Sequence, residues 1–203
     1  MSDKRKIIMD CDPGTDDSVC IVMALTHPDV ELLGITTESG NLPADKTTAN
    51  ALRILEYMDR GDIPVAQGMM HPMLREYPKD PYSHGADGLG NHFFPEPKLK
   101  PIDKSPAQFI VDTVLANPGE VTLVCTSCLT NIAIAFMSRP EIMTDVREIN
   151  VAIDCGGPLT RGMTIWDRRD HFRWEHLPKI RTVFAIDGQK YQQTFYEALG
   201  GKQ

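Results

Sequence analysis

No stretch of the chain approaches the ~18 consecutive apolar residues that a membrane-spanning helix requires, so no partnership with a membrane is expected. Basic runs are missing too. Lys and Arg number 21 against 28 Asp and Glu, a net charge of -7, which argues against a nucleic-acid surface. Five cysteines, Cys11, Cys20, Cys125, Cys128 and Cys155, are odd in number and are not spaced as a disulfide framework. A reducing compartment is the natural reading. The N-terminal MSDKRKIIMDCD has neither a long apolar stretch nor a small-residue cleavage site, so no signal peptide is expected and the location reads as cytoplasmic. Internal repeats are absent.

What remains is a 203-residue chain, long enough for one sizeable core, with 41% hydrophobic and 24% charged residues, ordinary for a soluble globular protein. Lys6 to Asp10 reads as a short buried strand. Ser18 to Thr26 is almost wholly apolar and reads as a helix, with Asp16 and Asp17 in the first turn, where negative charge is favoured, and Pro28 beyond its end. VELLGITTES, residues 30 to 39, is a second buried strand ending at Gly40-Asn41. A helix follows, with Ala49, Leu52, Ile54, Leu55 and Met58 near helical spacing and Gly61 as a stop. IPVAQG is a short third strand. Residues 69 to 101, rich in Pro, Gly, His and Tyr, predict a long loop of the kind that often carries function. SPAQFIVDTVLANPG is a helix with Pro106 in its first turn, VTLVCT a fourth strand, and LTNIAIAFMSRP a helix behind it. Strand alternates with helix, so the expected fold class is α/β, an open, mostly parallel sheet with helices on both faces.

Ligands in such sheets bind beyond the carboxyl ends of the strands. Asp10, Asp12, Asn41 and Thr126 all fall at strand ends. They are far apart in sequence yet are expected on one rim. The segment IIMDCDPGTDD adds Asp16 and Asp17, so four carboxylates lie within eight positions around a Pro13-Gly14 bend. A solvated acidic turn would not need a buried strand before it. An EF-hand loop does not fit, because the twelfth position counted from Asp10, where the bidentate Glu belongs, is Ile21. A phosphoryl-transfer aspartate lacks a neighbouring hydroxyl in DCDPG. Carboxylates without nearby His or Cys point to a hard cation, calcium or magnesium.

Several motifs together carry a resemblance. DCDPGTDD resembles the N-terminal signature of the inosine-uridine-preferring nucleoside hydrolases. GITTESGN resembles that family's second strand and ribose-binding asparagine, SHGADGLG its histidine-bearing loop, and VTLVCTSCLTNIAIA its metal-binding strand and helix. The match is collinear from about Lys6 to Ile149. It implies a shortened nucleoside hydrolase-like fold and a calcium-dependent N-glycosidase, with magnesium the weaker choice, that splits a ribonucleoside into ribose and free base. By resemblance, Asp12 and Asp17 match metal ligands, and Asp12 also matches the general base. Thr126 matches a ligand through its backbone oxygen. Asp16 and Asn41 match groups on the ribose hydroxyls, His84 a histidine near the base, and Asp10 a carboxylate supporting the loop. Possible assembly into a homo-oligomer is left open.

The same resemblance implies that family members are longer. The segment from Leu159 to Gly201 resembles the family's C-terminus, so residues 1–203 read as one domain with an internal block deleted near 149–151. That block normally carries an Asn/Glu/Asn ribose set and a His–Asp pair. No counterpart is found, and the alternative is a catalytically impaired or inactive relative that binds metal and ribonucleoside only. Other residues are weaker candidates. Cys125 and Cys128 form a C-x-x-C without a second pair for zinc. They read as buried small hydrophobes more readily than as a redox motif. His171 and His176, near Trp166 and Trp174, sit in an Arg-rich tail that reads as a surface hairpin.

Overall fold

A computed structural model describes residues 4–71, 83–152, 179–183, 193 and 197. Its eleven elements are strands β1 (Arg5–Cys11), β2 (Val30–Thr37), β3 (Val65–Ala66), β4 (Val121–Cys125), β5 (Glu148–Ala152) and β6 (Lys179–Val183), with helices α1 (Thr15–Thr26), α2 (Ala44–Tyr57), α3 (Pro106–Ala116), α4 (Thr130–Ser138) and α5 (Ile142–Asp145). The strands form one sheet in the order β3-β2-β1-β4-β5-β6, and every described pairing is parallel. The expected parallel α/β sheet is therefore the fold.

Strand β1 is central and buried on both faces, as parallel strands with helical crossovers require. Its period of two divides the core. Ile8 joins Val121, Leu123 and Cys125 of β4 beneath Phe109, Ile110 and Val114 of α3 and Ile132 and Ala135 of α4. Ile7, Met9 and Cys11 face the other way, onto Ile21 of α1 and Ala51, Leu52 and Leu55 of α2. Helices thus cover both faces. Between Ile7 and Ile8 the pairing with β2 shifts register, and Gly34 stands at the shift, where a Cβ would overlap the Phe109 ring.

Local signals explain the helix starts. Ser105 caps α3 by accepting from Gln108 N at 3.2 Å, and Pro106 follows at the position where a missing N–H is harmless. Helix α1 begins after Gly14 with Asp16 and Asp17 in its first turn. Two differences from the sequence reading stand out. The third strand is only two residues long, and Glu148–Ala152, to which the sequence reading assigned no element, is a strand paired with β4 on one side and β6 on the other. Its short charged approach, VREIN, hides a strand because Ile149 and Val151 alone carry the apolar alternation. Part of the loop expected over 69–101 lies outside the described residues, as do Cys155, His171, His176, Trp166 and Trp174.

The strand order reverses direction between β1 and β4. Chain order runs β1, β2, β3 to one side and β4, β5, β6 to the other. Crevices at such switch points, outside the carboxyl ends of the strands, are where open α/β sheets take ligands.

Candidate active site

The acidic loop leaves β1 at this switch point. In the sheet Asp10 pairs with Thr36 and Cys125, and Cys11 with Thr37. The residues that follow these pairs, Asp12, Glu38 and Thr126, therefore share one rim. Thr126 N–H donates to Asp10 O at 2.9 Å, which closes β4 onto β1, and Glu38 N–H donates to Cys11 O at 3.0 Å.

Asp12 is 7% exposed and Asp17 4%. They are held against each other, since Asp12 N–H donates to Asp17 Oδ2 at 3.2 Å. Burial, and then the charge of Asp17, push Asp12 up to about 7, against the lowering effect of hydrogen bonds from Asn41 and Ser127. Burial likewise pushes Asp17 up to about 6. The Thr126 hydroxyl faces Asp17 and lowers it, but forms no full hydrogen bond and remains an unpartnered buried atom. Two buried carboxylates held side by side repel each other, and a positive charge placed between them would relieve that repulsion.

Asn41 closes the site from β2. Its N–H donates to Asp12 Oδ2 at 2.5 Å and its side-chain amide to Asp12 O at 3.1 Å. Asp16, in contrast, is exposed at the start of α1. His84 arrives from the 83–93 loop, accepting at Nδ1 from Thr15 Oγ1 at 2.9 Å, with Nε2 3.8 Å from Asp16 Oδ1. Gly14 makes this approach possible, because a Cβ there would lie 2.8 Å from the His84 ring and 3.0 Å from Asn41 Nδ2. The structure thus brings together every site residue expected from the sequence: Asp10, Asp12, Asp16, Asp17, Asn41, His84 and Thr126.

It also adds two residues that the sequence reading passed over. Glu38 is 1% exposed, and Asn131 of α4 is its partner. Asn131 N–H donates to Glu38 Oε1 at 2.6 Å, while its side-chain amide donates to Asp10 Oδ1 at 2.9 Å and to Thr37 O at 3.0 Å. Thr36 Oγ1 donates to the same Asp10 oxygen. Asp10 Oδ2 has no partner at all. Asp10 is therefore a supporting carboxylate sunk beneath the rim, and burial raises it. Glu38 is raised by burial first and by the charge of Asp10 second. Both residues stood in quoted motifs, GITTESGN and LTNIAIA. A carboxylate inside an otherwise uncharged strand end was the available signal.

Glu38 yields a prediction. An acid whose pKa is raised on folding binds more protons in the native state, so its ionisation costs stability as pH climbs above its ordinary value of 4.5. Glu38→Gln removes that cost while its oxygen still accepts from Asn131. In metal-free buffer the variant is expected to match the parent near pH 4.5 and to exceed it by on the order of 3 kcal/mol at pH 8. Urea titrations at the two pH values check this. An advantage that does not grow with pH would refute it.

Burial holds the thiols of Cys125 and Cys128 in their neutral form. Cys125 is buried with its thiol pushed well above its usual value, and burial pushes Cys128 up to about 12, where its Sγ donates to Ser39 O at 3.4 Å. Neither is a thiolate near neutrality, so the C-x-x-C serves packing.

Among the described residues, no three His, Cys, Asp or Glu side chains converge as a complete metal cage. The donors that do converge, the Asp12 and Asp17 carboxylates with the β4 end at Thr126, are hard oxygens. Such donors fit a calcium- or magnesium-like ion that fills its remaining positions with water.

Residues 7–151 match the family described as inosine-uridine preferring nucleoside hydrolase. Over 151 residues the chain is 44% identical to a probable uridine nucleosidase 2 of Arabidopsis thaliana, covering 73% of this chain and 47% of that one. Among solved structures, a plant nucleoside hydrolase superimposes with a TM-score of 0.70 at 37% identity, over 72% of this chain and 47% of that chain. A purine-preferring ribonucleoside hydrolase from Gardnerella vaginalis does so with a TM-score of 0.69 at 32% identity, over 72% and 48%. The chain spans about half the length of these relatives.

Proposed function

The chain belongs to the inosine-uridine-preferring nucleoside hydrolase family, and from that premise we propose that it hydrolyses the N-glycosidic bond of ribonucleosides, giving ribose and free base. The observation that carries the reading is the meeting of Asp12, Asp17, Asn41 and Thr126 at the β1/β4 switch point, inside the matched span.

The roles follow from chemistry. Asp12 and Asp17, with the Thr126 carbonyl, are the residues to hold a calcium ion. Such an ion would neutralise the two buried carboxylates and make water beside them more acidic. Asp12 accepts the proton of the attacking water at its carboxylate. Asn41, fixed by its own hydrogen bonds to Asp12, and Asp16, exposed at the start of α1, face the ribose hydroxyls. His84, resting on Thr15, stands on the base side. Asp10, with Asn131 and Thr36 on one oxygen, keeps the loop from collapsing into the sheet. Relatives with pyrimidine and purine names both align, so the base is left unassigned.

We read the chain as one domain with a block missing after the family match, β6 lying directly beside β5. The second reading, a relative that binds but does not turn over, is favoured by one point. The sequence offers no counterpart of the family's His–Asp pair, and a general acid is typically worth ~10²–10⁴-fold.

Calorimetry and a release assay test both. Calcium should bind at millimolar levels or better. Uridine should bind more tightly than 2′-deoxyuridine, because a site built around a hydroxyl leaves its partners unpaired when the hydroxyl is absent. With calcium present, p-nitrophenyl riboside, whose leaving group needs no acid, should be cleaved relatively better than inosine. Equal affinity for uridine and 2′-deoxyuridine would count against the ribose assignment. Turnover of neither substrate would favour the binding-only reading.

A further inference from the structure

We propose that Asn50, on α2, is a positioning residue that docks the His84 loop onto the acidic loop, through a polar stripe running along its helix. The inference deepens the reading above and rests on it for the role of His84.

Asn50 is completely buried. An uncharged amide in a helix interior costs stability unless all its groups are paired. Here they are. One side-chain N–H donates to Pro13 O at 3.1 Å, in the acidic loop, and the other to Asp87 O at 3.0 Å, in the His84 loop. Its oxygen accepts from Arg53 Nη1 at 2.9 Å, which fixes which way the amide faces. One side chain therefore ties together two loops that are 74 positions apart between Pro13 and Asp87.

The stripe continues at helical spacing. Arg53 Nε donates to Pro95 O at 2.8 Å, its Nη2 meets Glu96 at 2.8 Å, and one turn on, Glu56 Oε1 accepts from Leu99 N–H at 2.5 Å. Asn50, Arg53 and Glu56, at i, i+3 and i+6, strap the segment 87–99 along α2.

The His84 loop is itself pre-formed, so a bridge made at Asp87 is felt along the whole of it. Asp87 accepts from Leu89, Asn91 and Phe93 N–H groups at 2.7 to 2.8 Å, and Gly90 N–H donates to His84 O at 2.8 Å. Gly88, at φ 76°, lies against the strap, since a Cβ there would sit 2.8 Å from Asn50 Nδ2. The loop meets the acidic loop at two places, His84 against Thr15 and Asn50 between Pro13 and Asp87, and the buried Asn50 bridge supports the seat that His84 takes on Thr15.

Two variants separate docking from folding. Asn50→Asp keeps the size and can still pair with Arg53, but it donates nothing to Pro13 or Asp87. Gly88→Ala pushes on the same contact from the other side. It also presses on Leu42 and strains the loop backbone at its positive φ, so Asn50→Asp is the deciding variant. In the 203-residue chain without ligand, both are expected to speed amide exchange of residues 83–93 about tenfold, with β1, β2 and β4 unchanged. In calcium buffer both should weaken uridine binding about tenfold. The loss should shrink to under twofold in a His84→Ala background, because neighbours acting through one another are not additive. Additive losses would make Asn50 a merely structural residue and overturn the proposal. So would unchanged exchange of 83–93 in Asn50→Asp. If the parent protein binds no uridine, the proposed function fails, and the exchange result alone decides whether Asn50 docks the loop.

Discussion

Asp12→Asn is expected to abolish ribose release from ribonucleosides, a fall of at least ~10²-fold in kcat and not merely a rise in KM. The amide keeps the shape of the side chain, and its oxygen can still accept from Asn41 N–H. It cannot take a proton from the attacking water. It also removes a buried carboxylate charge beside Asp17, so calcium affinity should fall with it. Asp12→Ala loses both functions and the Asn41 anchor. A release assay with saturating calcium, together with calorimetry, measures the two losses separately. Stability should move the other way, because an acid pushed up to about 7 by burial and by Asp17 is costly to ionise inside the fold. In metal-free buffer at pH 8, Asp12→Asn should therefore be at least as stable as the parent. Ribose release that survives in both variants would show that the chemistry lies in another loop.

The second large effect is expected at Gly40, which touches no substrate in this reading. A methyl group there overlaps Asp12 Oδ2 and lies 2.7 Å from its Cγ and 3.1 Å from its Cβ. Asp12 cannot swing away freely. It is buried, and its backbone is tied to Asn41 and Asp17. Gly40→Ala should force the carboxylate off its seat, break the Asn41 N–H bond and cost ~1–3 kcal/mol, the usual range for overpacking. Calcium binding and ribose release should fall nearly as far as in Asp12→Ala. The double variant distinguishes this cause from a general backbone effect. Removing the Asp12 carboxylate gives the new methyl room, so Gly40→Ala should cost much less stability in an Asp12→Ala background. Equal costs in the two backgrounds would place the damage elsewhere.

These two positions show the limits of reading the chain in one dimension. Asp12 stood out in the sequence, because four carboxylates around a Pro-Gly bend after a buried strand demand an explanation. Gly40 looked like the end of a strand. Its role appears only when β2 lies beside β1 and a missing Cβ becomes the space that Asp12 occupies.

The alternation of apolar strands and helices determined the α/β class, the parallel sheet and the rim on which Asp10, Asn41 and Thr126 meet. Period and polarity act within a few residues, so they are legible locally. The motifs also carried the family, since their residue types and order survive without coordinates. The tertiary structure alone decided which buried polar groups answer one another. Asn131 reaches Asp10 from 121 positions away, and Asn50 joins loops that meet only after α2 has packed. It decided too that Glu148–Ala152 is a strand, because pairing between β4 and β6, not its own pattern, makes it one. A buried amide or carboxylate must find a partner, but the sequence around it does not say where that partner lies. Chain topology sets that distance, and packing closes it.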